Sequence, residues 1–260
     1  MNKLKVFYKY FMHQLTANNR HGIHSPFVYN FLEQVVYRDK EKSKFDKLHL
    51  LRKSLLNDSR TIQITDLGAG SHINSSLTRK VSDIAKNSSK RTKYGRLFYR
   101  MIKYFEIEDV IELGTSLGLS TIYFSKANPK NVFTLEGCPE TLKIAQENFK
   151  LLGLNNIKTL LGDFKLNLVP VLSKANHPNI IFFDGNHQEE PTLKYFEEAL
   201  KYKSAKSIFI FDDIHWSEGM TSAWNKIKGH PETVVTLDLF FLGIVFFDSR
   251  LSSQHFKIKF

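Results

Sequence analysis

The chain has 260 residues, 42% of them hydrophobic, which suits one sizeable α/β core with an appendage. Its single cysteine, Cys138, excludes an internal disulfide framework and fits a reducing compartment. The net charge of +11 is local: residues 1–92 hold 17 Lys and Arg against 7 Asp and Glu (+10), whereas residues 93–260 hold 20 against 19 (+1). No apolar run reaches the roughly 18 residues that a membrane span needs, and the N-terminus lacks a continuous apolar signal region, so a cytoplasmic address is expected. The charge step divides a basic, mainly helical extension, residues 1–92, from a nearly neutral domain, residues 93–260.

In the extension, Leu4, Phe7, Tyr8, Phe11, Met12 and Leu15 recur at helical spacing among Lys3, Lys5 and Lys9. This predicts a basic amphipathic helix whose apolar face docks on the core or, less commonly for such helices, lies on a membrane surface. His21 and His24 fall in a linker. Ser25-Pro26 is an N-cap and first-turn pair that starts a helix reaching Tyr37, and a third helix is expected from Lys40 to Leu56. Ile62–Ser71 reads as strand, acid and glycine turn. The segment after it is basic and helical, with no second strand ending in an acid. Asp66–Ser71 is therefore read as a structural turn or a loop over a pocket mouth. Within Thr92–Tyr104, Lys93-Tyr94-Gly95 precedes an amphipathic helix carrying Leu97, Phe98, Met101 and Ile102, which leads into the next strand.

That strand begins the core. Val110-Ile111-Glu112-Leu113 is followed by Gly114-Thr115-Ser116-Leu117-Gly118 and a helix from Leu119: strand, tight glycine turn, helix N-terminus with free N–H groups. Asn131–Leu135 is a second strand ending at Glu136, 24 residues after Glu112, where one βαβ step places a carboxylate able to accept both hydroxyls of a ribose. A third strand ends at Gly162-Asp163-Phe164, an acid beside an aromatic that can bind and cover an adenine. Asn179–Phe183 and Ser207–Phe211 are strands four and five, apolar throughout, as strands covered on both faces should be. They end in Asp184-Gly185-Asn186-His187 and Asp212-Asp213. All five strands thus deliver an acid to one sheet edge. Thr233–Leu239 and Leu242–Asp248 are too close in sequence to be parallel neighbours and must form an antiparallel hairpin.

With these motifs, residues 93–260 resemble the class I S-adenosylmethionine-dependent methyltransferases. The resemblance implies a Rossmann-like, doubly wound seven-stranded sheet, mostly parallel, with an antiparallel C-terminal hairpin strand. It also implies S-adenosylmethionine as cofactor, held by Glu112, Gly114, Thr115, Ser116, Gly118 and Ser120 of the first motif. Glu136 and Gly137 would meet the ribose and Asp163 and Phe164 the adenine, with Asp184 close by. Within that family the strand ends resemble those of the metal-dependent, catechol-type O-methyltransferases. This group carries an acid after strand four, a pair after strand five, and a segment like Lys93-Tyr94-Gly95 that closes over the cofactor.

Methyl transfer needs an aligned nucleophile and a base for its proton. Asp184, Asp212 and Asp213, converging, would repel one another unless a hard cation such as Mg²⁺ or Ca²⁺ joined them. Asp184 and His187 are the catalytic candidates. His187 stands where the catechol-type group has its lysine base, and imidazole can serve as a base at neutral pH. The expected reaction is methylation of an oxygen on a small hydroxylated acceptor. Methylation of an acidic polymer such as RNA through the basic extension is an alternative, although no Asn-Pro-Pro-Tyr-type motif for base amines follows strand four. A non-catalytic binding module is another. The chain is compatible with a homodimer and with peripheral membrane contact through its first helix.

Overall fold

A computed structural model describes residues 3–65, 78–88, 92–177 and 179–260. Its centre is a parallel sheet built from β1 (Asp109–Leu113), β2 (Asn131–Glu136), β3 (Ile157–Leu161), β4 (Asn179–Phe183) and β5 (Ile208–Asp212). It is completed by β6 (Val235–Asp238), β7 (Leu242–Phe246) and β8 (Gln254–Lys257). The strand order is β8-β6-β7-β5-β4-β1-β2-β3, and β7 alone runs against its neighbours β5 and β6. The order reverses at β1, which pairs with β4 on one side and β2 on the other, so a crevice opens at their C-terminal ends.

The expected sheet had seven strands; it has eight. The additional strand, β8, runs parallel to β6 from the register Gln254↔Val235. Its QHFK sequence is short and largely exposed, so it carries no apolar alternation to mark it. A two-stranded ribbon, Thr61–Gln63 with Thr78–Lys80, lies outside this sheet. Asp66–Ser71, expected to form a turn, lies outside the described residues.

Helices cover both faces. On one face α2 (Pro26–Phe31), α3 (Asp46–Leu56), α5 (Thr92–Tyr104) and α6 (Leu119–Lys126) share a core with Val110, Val132, Ile180, Ile208 and Ile244. On the other, α8 (Phe164–Leu172), α9 (Glu189–Leu200) and α10 (Glu218–Lys228) pack on Ile111, Ile181, Phe209 and Val245. The alternation of these residues along each strand explains why the strands are apolar throughout. Helix α7 (Pro139–Leu151) follows β2, and α4 (Val81–Ser88) follows the ribbon.

The extension is built into this core. Ser25 Oγ accepts the Val28 N–H and caps α2, as expected, but the helix continues as a π-helical turn over Leu32–Val36. The carbonyls at its end are taken by Arg100 of α5, whose Nε donates to Val35 O at 2.5 Å and whose Nη2 donates to Val36 O at 3.3 Å. Arg96 and Arg100 are both buried, and both bond Asp39, at 2.6 to 3.0 Å. The hydrogen bond from Arg96 holds the Asp39 carboxyl below its ordinary range.

The first helix, α1 (Lys3–Thr16), forms as expected but docks by the opposite side. Tyr10, His13 and Ala17 face the protein: Tyr10 meets the Phe240 ring edge-on at 5.0 Å, and the buried His13 lies 3.1 Å from Asp238 Oδ1. The stripe of Phe7, Phe11 and Leu15 is left outside. Asp238 and Phe240 at the end of β6, partners that no periodicity reveals, hold the side that turns inward.

Asp39→Ala would leave two buried guanidinium groups without their carboxylate. We expect a loss of roughly 2–3 kcal/mol in urea denaturation at neutral pH. The loss should shrink below pH 4, because a depressed carboxylate pKa contributes stability only while the group is ionised.

Candidate active site

The glycine turn after β1 is shaped by backbone crowding. Gly114 has φ of 105°, and a Cβ there would run into the carbonyl oxygen of Asp184. Asp184 N donates in turn to Leu113 O at 2.9 Å, so the ends of β1 and β4 lie edge to edge. Gly118, with φ of 78°, caps α6 and lies against the Phe149 ring. Between them Ser116 N donates to Glu136 Oε2 at 2.7 Å, and Cys138 N donates to Glu136 Oε1 at 2.9 Å. Glu136 therefore ties the turn to the end of β2. Burial raises its carboxyl, while these main-chain N–H groups and the Thr141 hydroxyl favour the ionised form.

Below the turn lies a buried polar network. Glu112 is fully buried; its Oε2 accepts from Thr121 Oγ1 at 2.5 Å and from Thr134 Oγ1 at 2.7 Å. Thr134 is the residue paired with Glu112 across the β1–β2 ladder, so register alone brings the two together. Burial pushes the Glu112 carboxyl up to about 8, against the lowering effect of the two hydroxyls. Its Oε1 is buried without a hydrogen-bond partner among the described residues. Thr115, expected to touch a cofactor, turns its side chain down into this network, 2.5 Å from Thr134 Oγ1, and only its main chain belongs to the turn. Ser116, Ser120 and Gly137 stay half-exposed around the crevice.

On the β2–β3 side Asp163 caps α8, its carboxylate accepting the Lys165 N–H at 2.9 Å. The Phe164 ring lies against Gly185, just past β4, where any Cβ would strike it. Cys138 is buried, and its Sγ accepts the Thr65 N–H at 3.4 Å, which brings the chain just before Asp66 beside the Glu136 turn.

On the β4–β5 side, Asp184, His187 and Asp212 each offer a ligand atom within 4.8 Å of the others. His187 Nε2 is 3.7 Å from Asp184 Oδ1, and Asp212 is buried. The expected triad was Asp184, Asp212 and Asp213, with His187 as a separate base. Here His187 joins the cluster and Asp213 does not. Asp213 has a left-handed φ of 52°, and its N–H goes to Phe241 O at 2.7 Å. Lys93, expected over the cofactor, has its ammonium above the rings of Phe260 at 4.4 Å and Tyr94 at 5.0 Å. One further cluster was not anticipated: Asp238, at the end of β6, accepts from His13 at 3.1 Å and from His215 at 2.7 Å. Burial alone would raise its carboxyl, yet the two imidazoles hold it well below the usual carboxylate range.

A family profile described as a methyltransferase domain matches residues 111–214, from within β1 to just past β5. The matched segment, residues 111–214, is similar to a methyltransferase domain. A catechol O-methyltransferase of Niastella koreensis is 27% identical over 124 residues, covering 46% of this chain and 55% of the relative. The chain thus spans about half the length of that curated relative. Among solved structures, the cofactor-bound Rv0187 of MTB aligns over 87% of this chain and 98% of its own, with a TM-score of 0.57 and 16% identity. An O-methyltransferase from Bacillus cereus in complex with SAH aligns over 85% and 97%, with a TM-score of 0.54 and 16% identity. At such identities the two structures bear on the fold of the methyltransferase domain, and the crevice geometry on its chemistry.

Glu112 makes the stability of this domain pH-dependent with a known sign. Its folded pKa of about 8 lies above its ordinary 4.5, so the native state binds the extra proton between these values and stability falls as pH rises through the window. Glu112→Gln keeps an acceptor for Thr121 and Thr134 and removes the titration. We expect its melting temperature to be flatter than that of the parent between pH 5 and 8, by the equivalent of a few kcal/mol at most.

Proposed function

We propose that the protein is an S-adenosylmethionine-dependent O-methyltransferase acting on a small hydroxylated acceptor. We further propose that it holds a divalent cation at Asp184, His187 and Asp212. The observation that carries this reading is the adjacency of two half-sites: the glycine turn with Glu136, and the Asp184–His187–Asp212 cluster, joined where Gly114 meets the Asp184 carbonyl. The similarity to a catechol O-methyltransferase supports it.

In this reading Glu136 takes the ribose hydroxyls, Asp163 and Phe164 flank the adenine, and the main chain from Gly114 to Gly118 faces the amino-acid end. The donor set suits a cation. Two carboxylates and one imidazole are drawn to a common point, and like charges at this spacing are costly unless neutralised. An imidazole among the ligands favours Mn²⁺, Co²⁺ or Zn²⁺ over the Mg²⁺ or Ca²⁺ that an all-oxygen set would take. A bound divalent ion supplies a lowered pKa for an acceptor hydroxyl and a fixed orientation for its oxygen. The protein's own part is alignment: the edge-to-edge contact of β1 and β4 leaves little freedom between donor and acceptor, as an in-line displacement requires.

Calorimetry with S-adenosylmethionine tests the first half. Binding is expected, weakened at least about tenfold by Glu136→Gln; no binding to the parent protein would sink the reading. Transfer of a labelled methyl group to a panel of catechols and phenols tests the second half. Turnover should stop with EDTA and return best with Mn²⁺ or Co²⁺, and His187→Ala should weaken Mn²⁺ binding measured by electron paramagnetic resonance. EDTA-insensitive turnover would leave the methyltransferase and remove the metal.

A further inference from the structure

The outward face of α1 is the feature that neither the fold nor the crevice uses. Phe7, Phe11 and Leu15 follow one another at four-residue steps and are 69%, 51% and 63% exposed. Tyr8 and Met12 continue the same face on the next row. Of the twelve large hydrophobic side chains exposed among the described residues, these five lie on this one helix, and the other seven are scattered. An apolar stripe of this kind, in one place, marks an interaction surface.

The helix is not loosely attached. Its inner side is held by His13 on Asp238 and by Tyr10 on Phe240, and the chain after it pairs with the C-terminal tail: Asn18 N donates to Lys257 O at 2.8 Å, and Lys259 N donates to Asn18 O at 3.1 Å. The outward stripe is therefore presented in a fixed orientation. Asp238 closes β6, so α1 lies along the C-terminal edge of the sheet, the edge that carries the crevice.

We propose that this face of α1 docks on an anionic lipid bilayer. Charge selects the occupant. Residues 1–32 contain Lys3, Lys5 and Lys9 and no Asp or Glu, while the fourth cation of this stretch, Arg20, is engaged by Glu33 at 3.2 Å. Lys257 and Lys259, both exposed, are brought beside the end of α1 by the Asn18 pairing. An apolar helix face bordered by lysines is the pattern of an interfacial helix, inserting its aromatic and aliphatic side chains at the headgroup level while the cations meet lipid phosphates. A second copy of the chain fits less well. A two-fold contact sets the same residues opposite each other, and here that would oppose two acid-free, lysine-bearing helices. No helix among the described residues is long and apolar enough to cross a membrane, so the attachment is peripheral.

The test uses the full chain and sedimentation with vesicles. Phosphatidylglycerol–phosphatidylcholine vesicles should bind it at least about tenfold more tightly than phosphatidylcholine alone, and the difference should collapse between about 50 mM and 500 mM salt. Phe7→Ser/Phe11→Ser/Leu15→Ser should abolish binding with little change in melting temperature, because these side chains lie outside the core and are mostly exposed. Lys3→Glu/Lys5→Glu, which leaves the stripe intact, should weaken binding to the anionic vesicles alone. Absence of binding to anionic vesicles at low salt would overturn the proposal. So would equal binding to both vesicle types, or a dimer in light scattering that the triple serine variant converts to monomer.

Discussion

The crevice depends on one close approach. Where β1 ends, Gly114 lies so near the main-chain oxygen of Asp184 that no side chain can stand between them. Glycine at φ of 105° is the only residue that meets both conditions, the conformation and the space. Because of this contact the turn that would hold a methyl donor and the cluster that would hold an acceptor are parts of one rigid edge. A larger residue would have to push β1 and β4 apart, and the ladder between them, buried on both faces, resists that.

Rigidity at this edge is supported from below by polar groups. Glu112 costs free energy to bury, and the structure offsets part of this with two threonine hydroxyls and the rest by raising its pKa, so that the proton stays on. Glu136 shares the upward push of burial, and the main-chain N–H groups of Ser116 and Cys138 work against it while fixing the turn. Two acids at the ends of adjacent strands thus have different roles, one a floor and one a wall, because one is closed in by threonine hydroxyls and the other meets the crevice.

The extension follows a comparable logic. Its carbonyls and its Asp39 are gathered by Arg96 and Arg100, two buried guanidiniums that would be costly without them, so the helices before α5 belong to the same folded unit as the sheet. At the other end, Asp238 collects His13 of α1 and His215 of the loop after β5. The N-terminal helix and the crevice edge therefore share a single buried carboxylate.

Much of this was legible in the residues themselves. Apolar runs ending in acids, at βα spacing, locate β1 to β5 and their common edge, because a parallel sheet must send every strand end the same way. Glycines flanked by Glu112 and Ser120 locate the turn, and the short gap at Phe240-Phe241 requires the reversed β7. These are local or nearly local constraints, and composition and period express them. What the tertiary structure alone decided is pairing at a distance. Only the register sets Thr134 against Glu112, and only the folded ends of β4 and β5 bring His187 together with Asp184 and Asp212. Only the end of β6, with the Asp238 carboxylate for His13 and the Phe240 ring for Tyr10, turns these two inward and leaves Phe7, Phe11 and Leu15 outside. A hydrophobic pattern says which residues can be buried together. Which face is buried depends on the partner it meets, and that partner lies 225 residues away along the chain.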